Sequence, residues 1–137
     1  MALTNKTAIQ VSGDVIQIDG SSNVGIGTSP SHKLHVSGDI YATGNVTAYS
    51  AAEAKADIET IQDPLELVEK LRGVSFTWKE TGKKSQGLIY EEVAEVIPEV
   101  TSKVGDVVGV QYQNLVGVLI EAVKELKAEI RELKEKG

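Results

Sequence analysis

The 137-residue chain contains no cysteine, so neither disulfides nor thiolate metal sites are available to hold a small fold together. It is also poor in aromatic side chains, with one Trp, one Phe and four Tyr. Cores built from so few large side chains are thin. Because a weak core without cross-links commonly gains its stability from association, we expect this chain to form an oligomer.

Basic charge and long apolar runs are scarce as well. The net charge of −6 argues against nucleic acid or an anionic membrane as a partner, since no basic field attracts them. No apolar run approaches the roughly 20 residues that a membrane-spanning helix needs, and residues 1–6 lack an apolar signal region. No nucleotide, haem or metal motif is present in the sequence, so we expect no cofactor and no metal. These features predict a soluble protein made in a cytoplasm.

The charge is distributed unevenly along the chain. Residues 1–49 carry two Lys against three Asp, a net charge of −1, whereas residues 50–137 carry 12 basic and 17 acidic side chains, a net charge of −5. A Gly- and Thr-rich sequence also gives way to a charged, helical one at this point. We therefore predict two domains, 1–49 and 50–137, with their boundary at Tyr49–Ser50.

Short strands are predicted for the first domain. The sequence Val-Ser-Gly-Asp occurs twice, starting at Val11 and at Val36. Short alternating runs bounded by turn-forming residues lie at 9–11, 15–18, 24–26 and 34–36. Strands this short cannot bury a face alone, so repetition of the unit or of the chain must complete the core. This pattern favours a β-rich shaft of intertwined identical chains.

Two features of this domain could be mistaken for binding sites. His32 and His35 have no third metal ligand nearby in the sequence. The pair Gly25 and Gly27 lacks the following helix and the third glycine that a dinucleotide-binding loop requires. We interpret all four as ordinary strand and loop residues.

The second domain reads as alternating helices and strands. Asp63 is predicted to cap a helix that begins at Pro64 and stops at Gly73. The alternation of residues 74–79 predicts a half-buried strand, with Trp78 in the core. A loop at 81–86, a strand at 87–90, a short helix at 91–97 and a hairpin at 100–112 complete the expectation.

A heptad pattern marks a long C-terminal helix, which we predict at about 113–136. One heptad position holds Val116, Val123 and Ile130, and the other holds Tyr112, Leu119, Leu126 and Leu133. Glu129 and Lys134 flank this narrow seam, where a parallel neighbour could pair with them. The pattern favours a coiled coil, although one amphipathic helix packed on its own domain is the alternative. β-Branched residues at one position and Leu at the other ordinarily favour two strands.

The residues above carry a family resemblance. Residues 50–137 resemble the C-terminal intramolecular chaperone, an autopeptidase domain, of phage endosialidases, tail spikes and tail fibres. The matching positions are Ser50, Lys55, 57–58, 71–78, 87–93, 98–100, 110–112 and 119–126. Residues 24–30 and 33–38 resemble the β repeats that commonly precede this domain in tail fibres.

The resemblance implies a homotrimer in which the chaperone assembles three chains and lets the upstream fibre shaft of the same polypeptide fold. The expected fold is mixed α+β: an intertwined β-rich trimeric shaft, then an α/β chaperone domain whose long helix forms a trimeric coiled coil. The expected location is the virion tail fibre or spike, with the host cytoplasm as the site of assembly. Trimerisation is adopted from the resemblance, against the mild dimer preference of the heptads.

The resemblance also implies self-cleavage between Tyr49 and Ser50. The Ser50 hydroxyl would attack the Tyr49 carbonyl, and Lys55 would take the hydroxyl proton. A lysine amine can do this only when it is neutral, a form that burial or nearby positive charge favours. Water would hydrolyse the resulting ester and leave Ser50 as a new N-terminus. Without the resemblance, a Ser and a Lys five residues apart would be read as solvated linker residues.

One departure from the family bears on this activity. Members usually have Asp directly after the serine and often Arg two residues further on, where this chain has Ala51 and Glu53. We therefore expect impaired cleavage. Two alternatives follow, a permanently attached structural trimerisation tip and a fibre tip that binds a host surface receptor. The sequence offers few side chains for stacking on a glycan receptor, because Tyr41 is the only aromatic residue before the Tyr49–Ser50 dipeptide.

Overall fold

The computed structural model describes residues 15–137. The predicted strand at 9–11 and the first Val-Ser-Gly-Asp copy at 11–14 lie outside the described residues. The chain divides into two compact units, one ending at Ser50 and one beginning at Ala51. The two units differ in architecture, the first holding short strands and the second mixing helices with hairpins.

The first unit contains a small three-stranded sheet. Its strands are β1 (Ile16–Ile18), β2 (Val24–Ile26) and β3 (Leu34–Val36), as the alternating runs predict. Strand β2 lies in the middle, antiparallel to β1 and parallel to β3. Residues 37–50 form neither helix nor strand and are exposed throughout, and no apolar side chain of residues 15–50 is buried. The part of this unit that the structure describes therefore has no hydrophobic core of its own within the single chain.

Close packing explains the two glycines of β2 and its following turn. A Cβ atom on Gly25 would lie 2.0 Å from the carbonyl oxygen of Thr28 and 3.0 Å from Cδ of Pro30. Gly27 adopts a φ of +70°, which L side chains rarely tolerate. The pair thus serves a turn folded tightly against a strand, in keeping with its interpretation as strand and loop.

The turn between β1 and β2 is organised by Asp19. Its carboxylate accepts hydrogen bonds from the backbone N–H of Asn23 at 2.9 Å, from the Asn23 amide at 2.9 Å and from the backbone N–H of Ser21 at 2.8 Å. These hydrogen bonds lower the pKa of Asp19, and the bond from the Asn23 backbone N–H has the largest effect. The ammonium of Lys33 donates to the Ser21 carbonyl at 2.8 Å and ties the same turn to the segment before β3.

The second unit is a mixed α+β fold. Its elements in chain order are α1 (Pro64–Lys70), β4 (Val74–Thr77), β5 (Lys84–Gly87), α2 (Tyr90–Val96), β6 (Thr101–Val104), β7 (Val107–Val110) and α3 (Leu115–Lys136). Strands β4 and β5 form one antiparallel hairpin, and β6 and β7 form another that turns at Gly105 and Asp106. The predicted mixed fold class and the long C-terminal helix are confirmed.

A small core joins the three helices. Its buried members are Val93 in α2, Val118 in α3, and Ile97 and Val100 in the segment between α2 and β6. Partly buried side chains of α1, of β7 and of the segment after β5 pack around them. Outside the core, the Arg72 guanidinium binds both oxygens of the Glu92 carboxylate, with Nε to Oε2 at 3.2 Å, and links the end of α1 to α2. This hydrogen bonding lowers the pKa of Glu92 and raises that of Arg72.

The β4–β5 hairpin differs from its prediction. Strand β5 begins at Lys84 within the expected loop, and Tyr90 belongs to α2 instead of a strand. Thr77 of β4 pairs with Lys84 of β5, and this pairing places polar residues in a strand. An antiparallel hairpin at the surface does not need an apolar strand. The expectation of a core Trp78 is wrong: its side chain is 54% exposed and packs edge-to-face on Phe76, with ring centroids 5.0 Å apart.

The start of α1 also differs in its cap. Pro64 occupies the first turn as expected, but the Asp63 side chain makes no capping hydrogen bond, and its backbone is left-handed with a φ of +48°. The helix ends at Lys70, before Gly73, because Leu71 is already extended. The capping prediction for Asp63 is therefore wrong, and the cap comes from elsewhere in the chain.

Candidate cleavage junction and association surface

The predicted scissile bond lies at the end of the first unit. Tyr49 is 76% exposed, and Ser50 is exposed as well. Ser50 is the last residue of this unit, and Ala51 opens the next. The bond between Tyr49 and Ser50 thus belongs to a solvent-facing segment of the single chain that forms neither helix nor strand.

Lys55 lies just after a tight turn in the second unit. The turn is a 3₁₀ helix at Ala52–Ala54, closed by hydrogen bonds from the Ala54 N–H to the Ala51 carbonyl at 3.2 Å and from the Lys55 N–H to the Ala52 carbonyl at 3.0 Å. Lys55 itself is extended and exposed. A single turn therefore lies between the candidate nucleophile and the candidate base.

The segment that follows Lys55 is anchored on α3. Asp57 and Asp63 both adopt left-handed backbone conformations, with φ of +51° and +48°. Between them, Ile61 packs against Gly117, where a Cβ atom would lie 3.4 Å from Cδ1 of Ile61, an ordinary van der Waals contact. The chain that leads from Lys55 to α1 thus lies against α3, a contact that the heptad pattern gave no reason to expect.

The heptad seam is exposed in the single chain. Its six members within α3 are between 45% and 69% exposed: Val116, Leu119, Val123, Leu126, Ile130 and Leu133. A different face of α3, which includes Val118 and Ala122, is buried on the chain's own domain. Packing on the own domain therefore uses one face of the helix and leaves the seam uncovered. Contiguous exposed apolar surface of this kind is typical of protein association sites.

Tyr112, predicted as the first residue of the seam, does not lie on the helix that carries the seam. It lies in the 3₁₀ helix Tyr112–Asn114 that precedes α3. Its hydroxyl accepts a hydrogen bond from the Leu88 N–H at 2.9 Å and donates to the Leu88 carbonyl at 3.4 Å. A Cβ atom on Gly87 would lie 2.4 Å from this hydroxyl, so a side chain there would push the Tyr112 hydroxyl away from Leu88. Tyr112 thus fixes the start of α3 to the end of β5.

The histidines form a local polar cluster. The Ser31 hydroxyl lies 2.9 Å from Nδ1 of His32 and 3.2 Å from Nδ1 of His35, and the two rings meet edge-to-face. Residues 15–137 contain no group of three or more side chains placed to hold a metal ion. Over the same residues, no helix is both long and apolar enough to cross a membrane.

Comparison with known proteins connects the segment that begins at this junction to a family. Residues 50–102 match the family described as chaperone of endosialidase. The chain contains a chaperone-of-endosialidase domain. Among curated proteins, it is similar to the long tail fibre proteins Gp37 of Enterobacteria phages K3 and T2. Each is 30% identical over 114 residues, covering 72% of this chain and only 9% and 8% of the two relatives.

The resemblance to the chaperone domain of phage tail fibres is thereby confirmed. The matched part of the chaperone domain begins at Ser50, includes Lys55, and extends through α1, β4, β5 and α2 into β6. Helix α3 with its seam follows the matched residues. The chain spans less than a tenth of the length of the two tail fibre proteins.

Proposed function

We propose that this chain is the trimerisation and folding chaperone of a phage tail fibre or spike, assembled in the host cytoplasm and carried in the virion tail. The observation that carries the proposal is the exposed heptad seam of α3 in a chain with a chaperone-of-endosialidase domain. Three parallel copies of α3 would bury the seam, and the buried area would stabilise the assembly.

The upstream shaft is the client of this chaperone. Within residues 15–50, large side chains that a folded core would bury are exposed, among them Ile40, Tyr41 and Val46. A chain with this surface gains stability only when identical neighbours cover it. Bringing three chains into register at α3 places their shafts side by side and lowers the entropic cost of winding them together.

Self-cleavage between Tyr49 and Ser50 is the second part of the proposal. The Ser50 oxygen forms an ester with the Tyr49 carbonyl carbon, Lys55 takes the hydroxyl proton, and the Tyr49–Ser50 C–N bond breaks as the amine of Ser50 leaves with a proton. Water then hydrolyses the ester. Both residues are exposed in the single chain, so in this proposal neighbouring copies cover them in the assembled trimer.

A permanently attached trimerisation tip is the second candidate. It is favoured by Ala51 and Glu53, which stand where family members usually carry Asp and Arg. In this version the chaperone domain stays on the fibre as a clamp. A host surface receptor as a further partner has weaker support, because residues 15–48 offer one aromatic side chain, Tyr41, for stacking on a sugar.

One experiment separates these candidates. The whole chain is expressed, its native mass is measured by light scattering, and its denatured mass by mass spectrometry. We expect a native mass of three times the 14.6 kDa of one chain. A denatured fragment of residues 50–137 supports self-cleavage, whereas an intact chain supports the permanent tip. If Ala51→Asp then produces the fragment, the departure at 51 is the cause. A native mass of one chain overturns both.

A further inference from the structure

An apolar pocket of about 250 Å³ opens beside the seam. It lies between α1, which contributes Val68, and α3, which contributes Leu115, Val118 and Leu119. Leu71 and Gly73 from the segment after α1, and Leu88 from the segment after β5, complete its wall. Its lining is almost entirely aliphatic. An open aliphatic pocket in a domain with so small a core indicates a missing side chain rather than a site for a polar ligand.

The pocket is continuous with the seam because Leu119 belongs to both. Any chain that covers the seam at this level therefore approaches the mouth of the pocket. This continuity indicates that the occupant is a second copy of the same chain. The heptad register identifies which residue of that copy would lie at the pocket.

The Val116, Val123 and Ile130 positions form one of the two rows of the seam. In a parallel coiled coil, the residue just before a position of this row contacts the residue numbered five higher on the neighbouring helix. With Val116 and Leu119 on the seam, Leu115 on one helix faces Ile120 on the next. The same relation joins Glu129 to Lys134 two heptads further along. The later pair is charged and the earlier pair is aliphatic, so α3 has a wide apolar surface only where the pocket lies.

We infer that the pocket of each copy receives the Ile120 side chain of a neighbouring copy. Ile120 is 49% exposed in the single chain, an unfavourable position for an isoleucine unless a partner covers it. Leu115 and Ile120 lie about 140° apart around the helix axis, since α-helices have roughly 3.6 residues per turn. The pocket and the isoleucine thus lie on opposite sides of the seam, and the contact repeats around a closed ring. This inference rests on the proposed trimer.

The chain's lack of cysteine allows a direct test. The double variant Leu115→Cys/Ile120→Cys cannot form a disulfide within one helix, because residues five apart on an α-helix lie farther apart than a disulfide spans. Under mild oxidation we expect covalent trimers on a non-reducing denaturing gel. The matched control is Leu115→Cys/Glu121→Cys, whose second cysteine is one residue away on another face. We expect at least tenfold less covalent trimer from it.

Leu115 is partly buried, so a second pair protects the test from misfolding. Gly73→Cys/Ile120→Cys places the first cysteine at the pocket wall, where a Cβ atom meets nothing within 4 Å. Circular dichroism reports whether each variant keeps its helices. Light scattering before oxidation reports the assembly state.

The outcomes distinguish the two proposals. Covalent oligomers from either Ile120 pair, with the control unlinked, support the pocket contact. A native trimer in which neither folded Ile120 pair cross-links between chains overturns the pocket contact and leaves the trimer standing. A native mass of a single chain in the unmodified protein overturns the trimer and the pocket contact together.

Discussion

The side chain of Glu125 in α3 accepts a hydrogen bond from the backbone N–H of Leu65 in the first turn of α1, with Oε2 and N 3.2 Å apart. Sixty residues separate the two partners in the chain. The first N–H groups of a helix have no partner within it, and this carboxylate supplies one. The first and last helices of the second unit are thereby joined by a cap as well as by apolar packing.

Removing this cap should destabilise the second unit. We expect Glu125→Ala to lower the free energy of unfolding by about 1 kcal/mol, the usual contribution of an N-terminal cap. Urea denaturation followed by circular dichroism measures the change. Glu132→Ala, which removes an exposed pairing with Lys136, should cost no more than about 0.5 kcal/mol. Equal effects of the two substitutions would show that the cap contributes nothing.

The Arg72–Glu92 pair should make part of the stability depend on pH. Because Arg72 lowers the pKa of Glu92 below its ordinary 4.5, the pair stabilises the folded chain above about pH 4.5. This contribution is lost as the pH falls through the lowered pKa. Glu92→Gln should therefore reduce the melting temperature slightly at pH 7 and make no difference at pH 2.

A control on the same helix separates this pair from general charge effects. Glu95→Gln removes the same charge from α2 and leaves Arg72 and Glu92 in place. We expect its melting temperature to follow that of the unmodified chain more closely at pH 7. If the two variants have the same profile between pH 2 and 7, the ion pair is not responsible.

A charge on the seam should prevent assembly. Ile130→Asp places a carboxylate where three helices would meet, and an unpaired buried charge is strongly unfavourable. We expect the concentration for half-dissociation to rise by more than about tenfold, corresponding to over roughly 1.4 kcal/mol. Ala128→Asp adds the same charge to the outward face and should leave the assembly intact. Analytical ultracentrifugation measures both, and dissociation of the Ala128→Asp variant alone would contradict the proposed seam.

Loss of the Ser50 hydroxyl should stop self-cleavage. In a background that cuts, with Ala51→Asp if needed, Ser50→Ala should slow the appearance of the 50–137 fragment by at least about a hundredfold. Ser37→Ala, in the same exposed segment, is the control and should cut at the parent rate. Mass spectrometry over time follows the fragment. A cut that persists in Ser50→Ala would identify another nucleophile or a contaminating protease.

The turn at Gly25 should resist substitution. Gly25→Ala would drive its Cβ atom into the Thr28 carbonyl, so we expect loss of about 2 kcal/mol or more from the shaft strands. Gly44→Ala, whose Cβ atom meets nothing within 4 Å, should be neutral within about 0.5 kcal/mol. Limited proteolysis upstream of Tyr49 compares the two. Equal protection of both variants would exclude a tight turn at Gly25.

Periodic patterns predicted much of the fold. The alternation at 15–18, 24–26 and 34–36 gave β1, β2 and β3, the turn at Gly105 gave the β6–β7 hairpin, and the heptads gave α3. These elements follow from local spacing. The polar strand β5 did not, because its place in the fold is set by pairing with β4 and not by its own apolar residues.

Long-range contacts were the part that the sequence did not reveal. The cap on α1 comes from Glu125 instead of the adjacent Asp63, and Tyr112 reaches back to Leu88. For the candidate site, the residue types and their spacing identified Ser50 and Lys55, but only with the help of a family resemblance. The contact of Ile61 with Gly117 depends on tertiary packing, for which no local pattern exists.

The β6–β7 hairpin has a practical consequence. Its chain reverses at Gly105 and Asp106, both exposed, and no residue of the core lies between the two strands. Exposed hairpin tips accept inserted residues with little cost. A foreign peptide grafted there would be displayed on every subunit, which makes this tip a suitable position for an epitope or a label.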